Sequence, residues 1–454
     1  MNHSRRNFLK TSGCALSAGL LLPSFSTWGS TIASGVSGTS SYQAMVCIFL
    51  YGGNDGNNMV IPYDRYADYN RIRGTSAQLN IPQSSLLKIQ AASQGNQTFG
   101  LHPNMPELQN LYHAGNLAVL CNTGPLIEPI TRTQYLDKIG LPDQLYSHAD
   151  QQREWQSATT YSDDPLAATG WGGRSADDLA DTALSSGLPI MLTFAGNDTF
   201  TQGVKTHPFA PGNHLAGFPN PMSGSSRYQA LHNILNESGT PTLTAAANKL
   251  LSTAINYSLI YNNAMTPEPT LKTVFPKTDL GNQLLSVAKT IAERKTLAGQ
   301  KQIFFVSLGG FDTHTGQLAT QARLLQEVSQ AMHAFYQATV ELSVANEVVA
   351  FTMSDFARTL QPNTDGGSDH AWGNHHLIMG GSVKGGDFYG KFPTLKLGGT
   401  DDTSSEGRWI PSTSVDQYAA TLTAWFGLNN AQLLANFPNL RNFSIQNLDF
   451  MHPV

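Results

Sequence analysis

The sequence predicts an α/β fold: three layers, α/β/α, built on a central, mostly parallel sheet, with a helical insertion in the middle of the chain. Three observations predict it. Six apolar runs are continuous rather than alternating: AMVCIFLY (44–51), LAVLCN (117–122), PIMLTFAG (189–196), QIFFVSLGG (302–310), EVVAFTMSD (347–355) and HLIMGG (376–381). Such runs read as strands covered on both faces. Helical patterns lie between them, and strands alternating with helices argue for a parallel sheet with helical layers. Finally, the 454-residue chain is 40% hydrophobic and only 13% charged, enough apolar material for a large core.

In chain order, the first segment stands apart from the fold. SRRNFLK (Ser4 to Lys10) carries the pair Arg5 and Arg6, followed by the mildly apolar CALSAGLLLP and a Ser/Gly/Thr-rich run. That layout predicts a twin-arginine export signal and linker over residues 1–40, with Ala33 a candidate cleavage position. The expected location is therefore periplasmic or secreted. The folded domain is expected over 41–454. Cys47 and Cys121 lie inside apolar runs and read as buried small side chains, and no Cys-x-x-Cys pattern offers a thiolate metal site.

Between 197 and 300 the pattern changes. A Gly/Pro/Asn-rich stretch (206–226) precedes helical segments without clear strands, which predicts a helical insertion or cap. A long helix follows: Leu318, Leu325, Val328, Met332, Phe335 and Leu342 recur at helical spacing along one face. It leads directly into the EVVAFTMSD strand. SVDQYAATLTAWFGL (414–428) predicts a further helix, which Ser414 caps and Gly427 helps to end.

The polar residues fall at strand ends. LYGGNDGNN places Asp55, SLGGFDTH places Asp312 and His314, and TMSDFART places Asp355 just beyond apolar runs. In an open parallel sheet, ligands bind beyond the carboxyl ends of the strands. A loop carrying Asp369, His370, His375 and His376 begins at the same edge. Gathered carboxylates with few basic neighbours need cations. Carboxylate with neutral imidazole suits divalent ions, zinc first, with manganese, calcium or magnesium as alternatives. The candidate metal ligands at this edge are Asp55, Asp312, His314 and Asp355; His375 and His376 precede an apolar run, so at least one of them reads as a core histidine. Ser147, in YSHADQQREWQSA, reads as a capping box with Asp150 and as a serine at a helix N-terminus, where an anion is favoured. It is the candidate nucleophile, with Asn58, His148 and Arg358 as candidate substrate-binding residues.

With these segments in place, the chain resembles a twin-arginine-exported bacterial family of uncharacterised function, grouped with the alkaline phosphatase and sulfatase superfamily. The resembling segments are SRRNFLK, FLYGGNDGNNMVIP, YSHADQQREWQSA, GGFDTH, FTMSDFART, DHAWGNHHLIMGG and GRWIPSTSVDQYAATLTAWFGL. The resemblance implies an alkaline phosphatase-like domain with a one- or two-metal centre. It implies Asp55 as the first metal-binding aspartate, Ser147 as nucleophile, and Asp312 with His314 on one metal, with His370 or His375 completing the site and His376 left to the core. Asp355 is implied at the superfamily's Asp-His step, but Phe356 follows it where a histidine is usual. No Cys-x-Pro-x-Arg sulfatase signature is present.

The function expected from these readings is an exported metal-dependent hydrolase of phosphate or sulfate esters. The alternative is a non-catalytic binding or assembly protein at the cell surface that keeps the fold. The expected partners are a small-molecule or polymer-borne anionic ester and, during export, the twin-arginine translocase. A net charge of −5 gives no basic field for nucleic acid, and no apolar run is long enough for a transmembrane segment.

Overall fold

A computed structural model describes residues 42–75, 78–183, 187–212, 225–236, 242–297 and 299–453. The expected export signal lies outside the described residues. The strands, in chain order, are β1 (Gln43–Leu50), β2 (Val60–Ile61), β3 (Leu87–Ala91), β4 (Gln97–Leu101), β5 (Leu117–Gly124), β6 (Met191–Thr193), β7 (Lys301–Leu308), β8 (Val348–Ser354), β9 (Asn374–Gly380), β10 (Phe388–Tyr389) and β11 (Thr413–Ser414). All six apolar runs supply strands of the main sheet, whose order is β10-β5-β9-β8-β1-β7-β6, with β11 also on β5.

Every pairing in this sheet is parallel except the two made by β9. The physical reason is the connection. A parallel neighbour needs a crossover to the opposite edge. The segment 355–373 makes none, so β9 starts at the edge where β8 ends. That whole segment is therefore held at the carboxyl edge of the parallel strands.

The continuous apolarity of β1 follows from cover on both faces. Ala44, Val46, Ile48 and Leu50 share one core with Leu284 and Val287 of the Asp279–Ala292 helix and with Leu325, Val328 and Phe335 of the Gln317–Glu341 helix. Met45, Cys47 and Phe49 face the other core, with Trp155, Trp171, Tyr418 and Phe426. Three layers result. Cys47 and Cys121 are buried free thiols.

Helix ends match their local chemistry. Ser414 caps the Val415–Phe426 helix in a reciprocal box with Gln417, and Gly427 closes it with φ 115°. Within 197–300, helices run over Ser226–Leu235, Thr242–Ala264 and Asp279–Ala292. A second sheet, β2-β4-β3, is antiparallel. Its strands of two to five residues are too short to carry a readable period.

One buried acid lies in the first turn of the Val415–Phe426 helix. Burial raises the Asp416 carboxyl to about 8, against opposing contributions from backbone N–H groups and Arg174. Its proton is thus kept in the folded chain where the unfolded chain has lost it. Stability from this group is complete below about pH 4 and falls as pH rises toward about 8, at roughly 1.4 kcal/mol per pKa unit as an upper bound. Asp416→Asn is expected to flatten the decline of the thermal midpoint between pH 5 and 9 and to stabilise the protein at pH 9. An unchanged pH profile in calorimetry would show that Asp416 is ionised in the fold.

Candidate metal centre

The registers align the strand ends: Leu50 of β1 lies opposite Leu308 of β7 and Ser354 of β8. The loops that follow therefore leave three neighbouring strands at one edge. Gly52, with φ 111°, permits an approach that a side chain would block, because a Cβ there would collide with the Asp312 backbone. Its N–H donates to Asp355 Oδ1 at 3.0 Å.

Asp312 is the hub. His148 Nε2 stands 3.6 Å from its Oδ2, while His314 Nε2 and His370 Nε2 stand 3.1 and 3.6 Å from its Oδ1. The potential ligand atoms of His148, Asp312 and His370 all lie within 4.8 Å of one another. His314 Nε2 approaches His370 Nε2 to 2.9 Å.

Each imidazole is oriented through its other nitrogen. His148 Nδ1 lies 2.7 Å from Asp355 Oδ2, His370 Nδ1 lies 2.8 Å from the Tyr146 carbonyl, and His314 Nδ1 lies 3.3 Å from Asp369 Oδ1. A proton at Nδ1, facing each acceptor, would leave the Nε2 lone pair directed at an ion beside Asp312. This pattern orients metal-ligating histidines in general. The donor set, imidazole nitrogens with one carboxylate, fits a divalent ion such as zinc.

The charged groups at this edge shift in different directions. Burial opposes ionisation of Asp312, but its hydrogen bond and charge interaction with Arg358 outweigh burial and hold the carboxyl below its ordinary range. The hydrogen bond to Asp355 raises His148 above the ordinary imidazole value despite partial burial. Burial, with the Arg358 charge nearby, lowers His370. The site is open: the side chains of Asp312 and His314 are 49% and 44% exposed. Phe356 forms an apolar wall, its ring centroid 4.7 Å from that of His148 and 4.4 Å from that of His370.

The structure thus brings His148, Asp312, His314 and His370 together. It gives other expected site residues different partners. Asp55 is buried and accepts from Arg73 Nη2 at 2.8 Å, from the Asn57 N–H at 3.1 Å and from Gln317 Nε2. Asp355 is buried, and its oxygens meet Gly52 N–H, His148 and Gln152, so it supports a histidine instead of joining the ligand group. His375 lies in β9, where it stacks on Phe392 and its Nδ1 accepts from the Asn122 N–H at 3.1 Å. Burial lowers it to about 3, a neutral core imidazole.

The proposed substrate-binding set changes too. Asn58 is buried, donating to the Leu79 carbonyl and accepting from the Tyr69 hydroxyl. Arg358 is fully buried and donates to the carbonyls of Gly52, Gly53 and Ser368 and to Asp312. Its fork is saturated by the protein. His148 moves from substrate residue to candidate ligand.

Ser147 is the N-cap residue of the His148–Ser157 helix, yet its side chain makes no cap bond. Its Oγ donates instead to Asp150 Oδ2 at 2.7 Å, and Asp150 also accepts from Arg153 Nη1 at 2.9 Å. The expected capping box is therefore replaced by a serine–carboxylate pair. The chain around it is tightly held: Tyr146 has φ 72° and its N–H donates to Gln151 Oε1 at 2.7 Å.

Sequence reasoning missed Arg73, Gln152 and the support role of Asp369. Gln152 was legible in principle, since it lies four residues after His148 on the same helix face. Arg73 carried no such local signal, because its partner is brought by a different segment.

A family model described as "Protein of unknown function (DUF1501)" matches residues 42–445. A comparison with curated protein sequences finds no match. Among solved structures, the chain is similar to the lipoteichoic acid synthase LtaP from Listeria monocytogenes, at 9% identity and TM-score 0.34, covering 83% of this chain and 76% of that one. It is similar to the C-terminal periplasmic domain of EcEptC from Escherichia coli in complex with zinc, at 8% identity and TM-score 0.37, covering 86% and 84%. It is also similar to the phosphonate monoester hydrolase SpPMH from Silicibacter pomeroyi, at 11% identity and TM-score 0.34, covering 86% and 74%.

Proposed function

The chain belongs to that family, and we propose that it is an exported metal-dependent hydrolase of phosphate or sulfate esters. The observation that carries this reading is the convergence of imidazole Nε2 atoms on Asp312, with His148 and His370 held through Nδ1. His148, Asp312 and His370 would hold the ion, with His314 beside them. A divalent ion bound there would supply Lewis-acid stabilisation of charge on the ester oxygens.

The chain's own residues supply the rest. Ser147 is the proposed nucleophile, and Asp150 is placed to take its proton at 2.7 Å. Ser147 Oγ would bond to phosphorus or sulfur as the ester's P–O or S–O bond breaks. The departing alkoxide takes the proton that Asp150 received from Ser147. Water then cleaves the serine ester and returns a proton to Oγ. The start of the His148–Ser157 helix favours the negative charge of such a substrate. The Phe356 ring excludes water from one side of the imidazoles. The half-exposed Asp312 and His314 leave room for an ester carried on a small molecule or a polymer.

Periplasmic or extracellular location belongs to the same proposal, supported by the SRRNFLK segment. No helix among the described residues is long and apolar enough to cross a membrane.

The test uses full-length protein loaded in turn with zinc, manganese, calcium and magnesium, against aryl phosphate, phosphonate and sulfate esters. Ion-dependent release of the alcohol is expected, with about a hundredfold or greater loss in Ser147→Ala. Ion binding without turnover of any ester class would favour the non-catalytic alternative.

A further inference from the structure

We infer that this site takes one divalent ion per chain, because buried Arg73 already supplies the positive charge at Asp55, where a second ion would otherwise be needed. The inference rests on the metal-dependent reading above. Its starting point is the charge arrangement at the sheet edge. Asp55, Asp312 and Asp355 follow three adjacent parallel strands, and three ionised carboxylates there require neutralisation.

The structure shows what each of them meets. Asp55 is met by Arg73 at 2.8 Å, with side chains only 1% and 0% exposed. Arg73 Nη2 also donates to the Thr359 carbonyl at 3.1 Å, which ties the cation to the segment after β8. The remaining capacity of Asp55 is used by Asn57 N–H and Gln317 Nε2. An ion at Asp55 would have to displace a fully buried guanidinium. It would leave Arg73 buried without its charge partner, an arrangement that native structures avoid. Asp355 is similarly occupied, by Gly52 N–H, His148 and Gln152.

Asp312 differs. Arg358 holds one oxygen from the protein interior, but the side chain remains half exposed and faces imidazole nitrogens. It is the single strand-end carboxylate of the three that retains an open coordination direction. Arg73 therefore keeps Asp55 paired whether or not an ion is present, while Gly52 N–H, His148 and Gln152 hold Asp355. Removal of the ion should empty the rim and leave the fold intact.

The experiment counts ions and measures fold separately. Full-length protein is stripped with chelator, reloaded with zinc, dialysed and measured by elemental analysis. Expected results are one zinc per chain, a one-site isotherm, and an unchanged far-UV circular dichroism spectrum in the stripped protein. The double variant Asp55→Asn/Arg73→Gln removes both charges together and should still bind one zinc, with Kd within about threefold of the parent. Two zinc ions per wild-type chain, or loss of zinc from a folded double variant, would overturn the inference. If the double variant does not fold, the wild-type count decides, with anomalous scattering from zinc-loaded crystals locating each ion. Zero zinc in the wild type would instead remove the metal-dependent reading itself, so the two failures are distinguishable.

Discussion

Asp312→Asn is expected to abolish tight zinc binding and ester hydrolysis together. The substitution keeps the shape but removes the carboxylate on which the imidazoles converge. Losing an outer-shell partner of a metal site typically costs about 10–100-fold in affinity, and loss of a ligand should exceed that. Asp355→Asn gives the graded comparison. Asp355 touches His148 through Nδ1, so its loss should fall in the 10–100-fold range. The measurement is zinc affinity by competition with a chromophoric chelator. Equal losses in the two variants would place Asp355 among the ligands. No loss in Asp312→Asn, in a folded protein, would remove the site.

The second large effect concerns stability. Arg358 is fully buried and joins the loop after β1, through the Gly52 and Gly53 carbonyls, to the loop after β7, through Asp312. Its Nη1 also reaches the Ser368 carbonyl at 2.8 Å. Arg358→Met leaves three carbonyls without that donor and removes the buried charge from Asp312. Half-exposed Asp312 can regain water, so the cost falls mainly on the buried carbonyls, at about 1–3 kcal/mol for an acceptor left unsatisfied. Urea unfolding should show a lowered midpoint, and zinc affinity should change as well because Asp312 loses its inner support. A midpoint within 1 kcal/mol of wild type, in the roughly ±0.5 kcal/mol range of ordinary surface changes, would mean that other groups satisfy these acceptors.

Much of this architecture is legible because its determinants are local. Apolar runs covered on both faces have no period-2 alternation, and the long 317–341 helix shows its 3.6-residue stripe. Ser414 and Gly427 bracket a helix through bonds to residues within a few positions. The placement of acids after strand ends is also local, and a parallel sheet then brings those ends to one edge.

What each acid meets at that edge is not local. Asp55 and Asp355 look alike as aspartates after strands, yet one finds Arg73 and the other finds His148 and Gln152. His375 and His376 sit beside His370 in sequence, but β9 begins at Asn374 and carries both into buried layers. Burial also lowers His376 to about 3. His370 stays in the connection and reaches the site. The strand boundary separates them, and the apolar run around it starts too softly to mark that boundary.

The sequence by itself determined the layered α/β class, the six strand segments of the main sheet and the edge at which polar residues gather. These depend on hydrophobic period and on the short reach of capping and turn bonds. The tertiary structure decided which of those residues share a centre. Hydrogen bonds and ion pairs act over about 3 Å, and their partners here come from segments up to some hundreds of positions apart. Only the folded register brings Asp312, His148 and His370 within that reach, and only the buried arginines reveal which carboxylates are already paired.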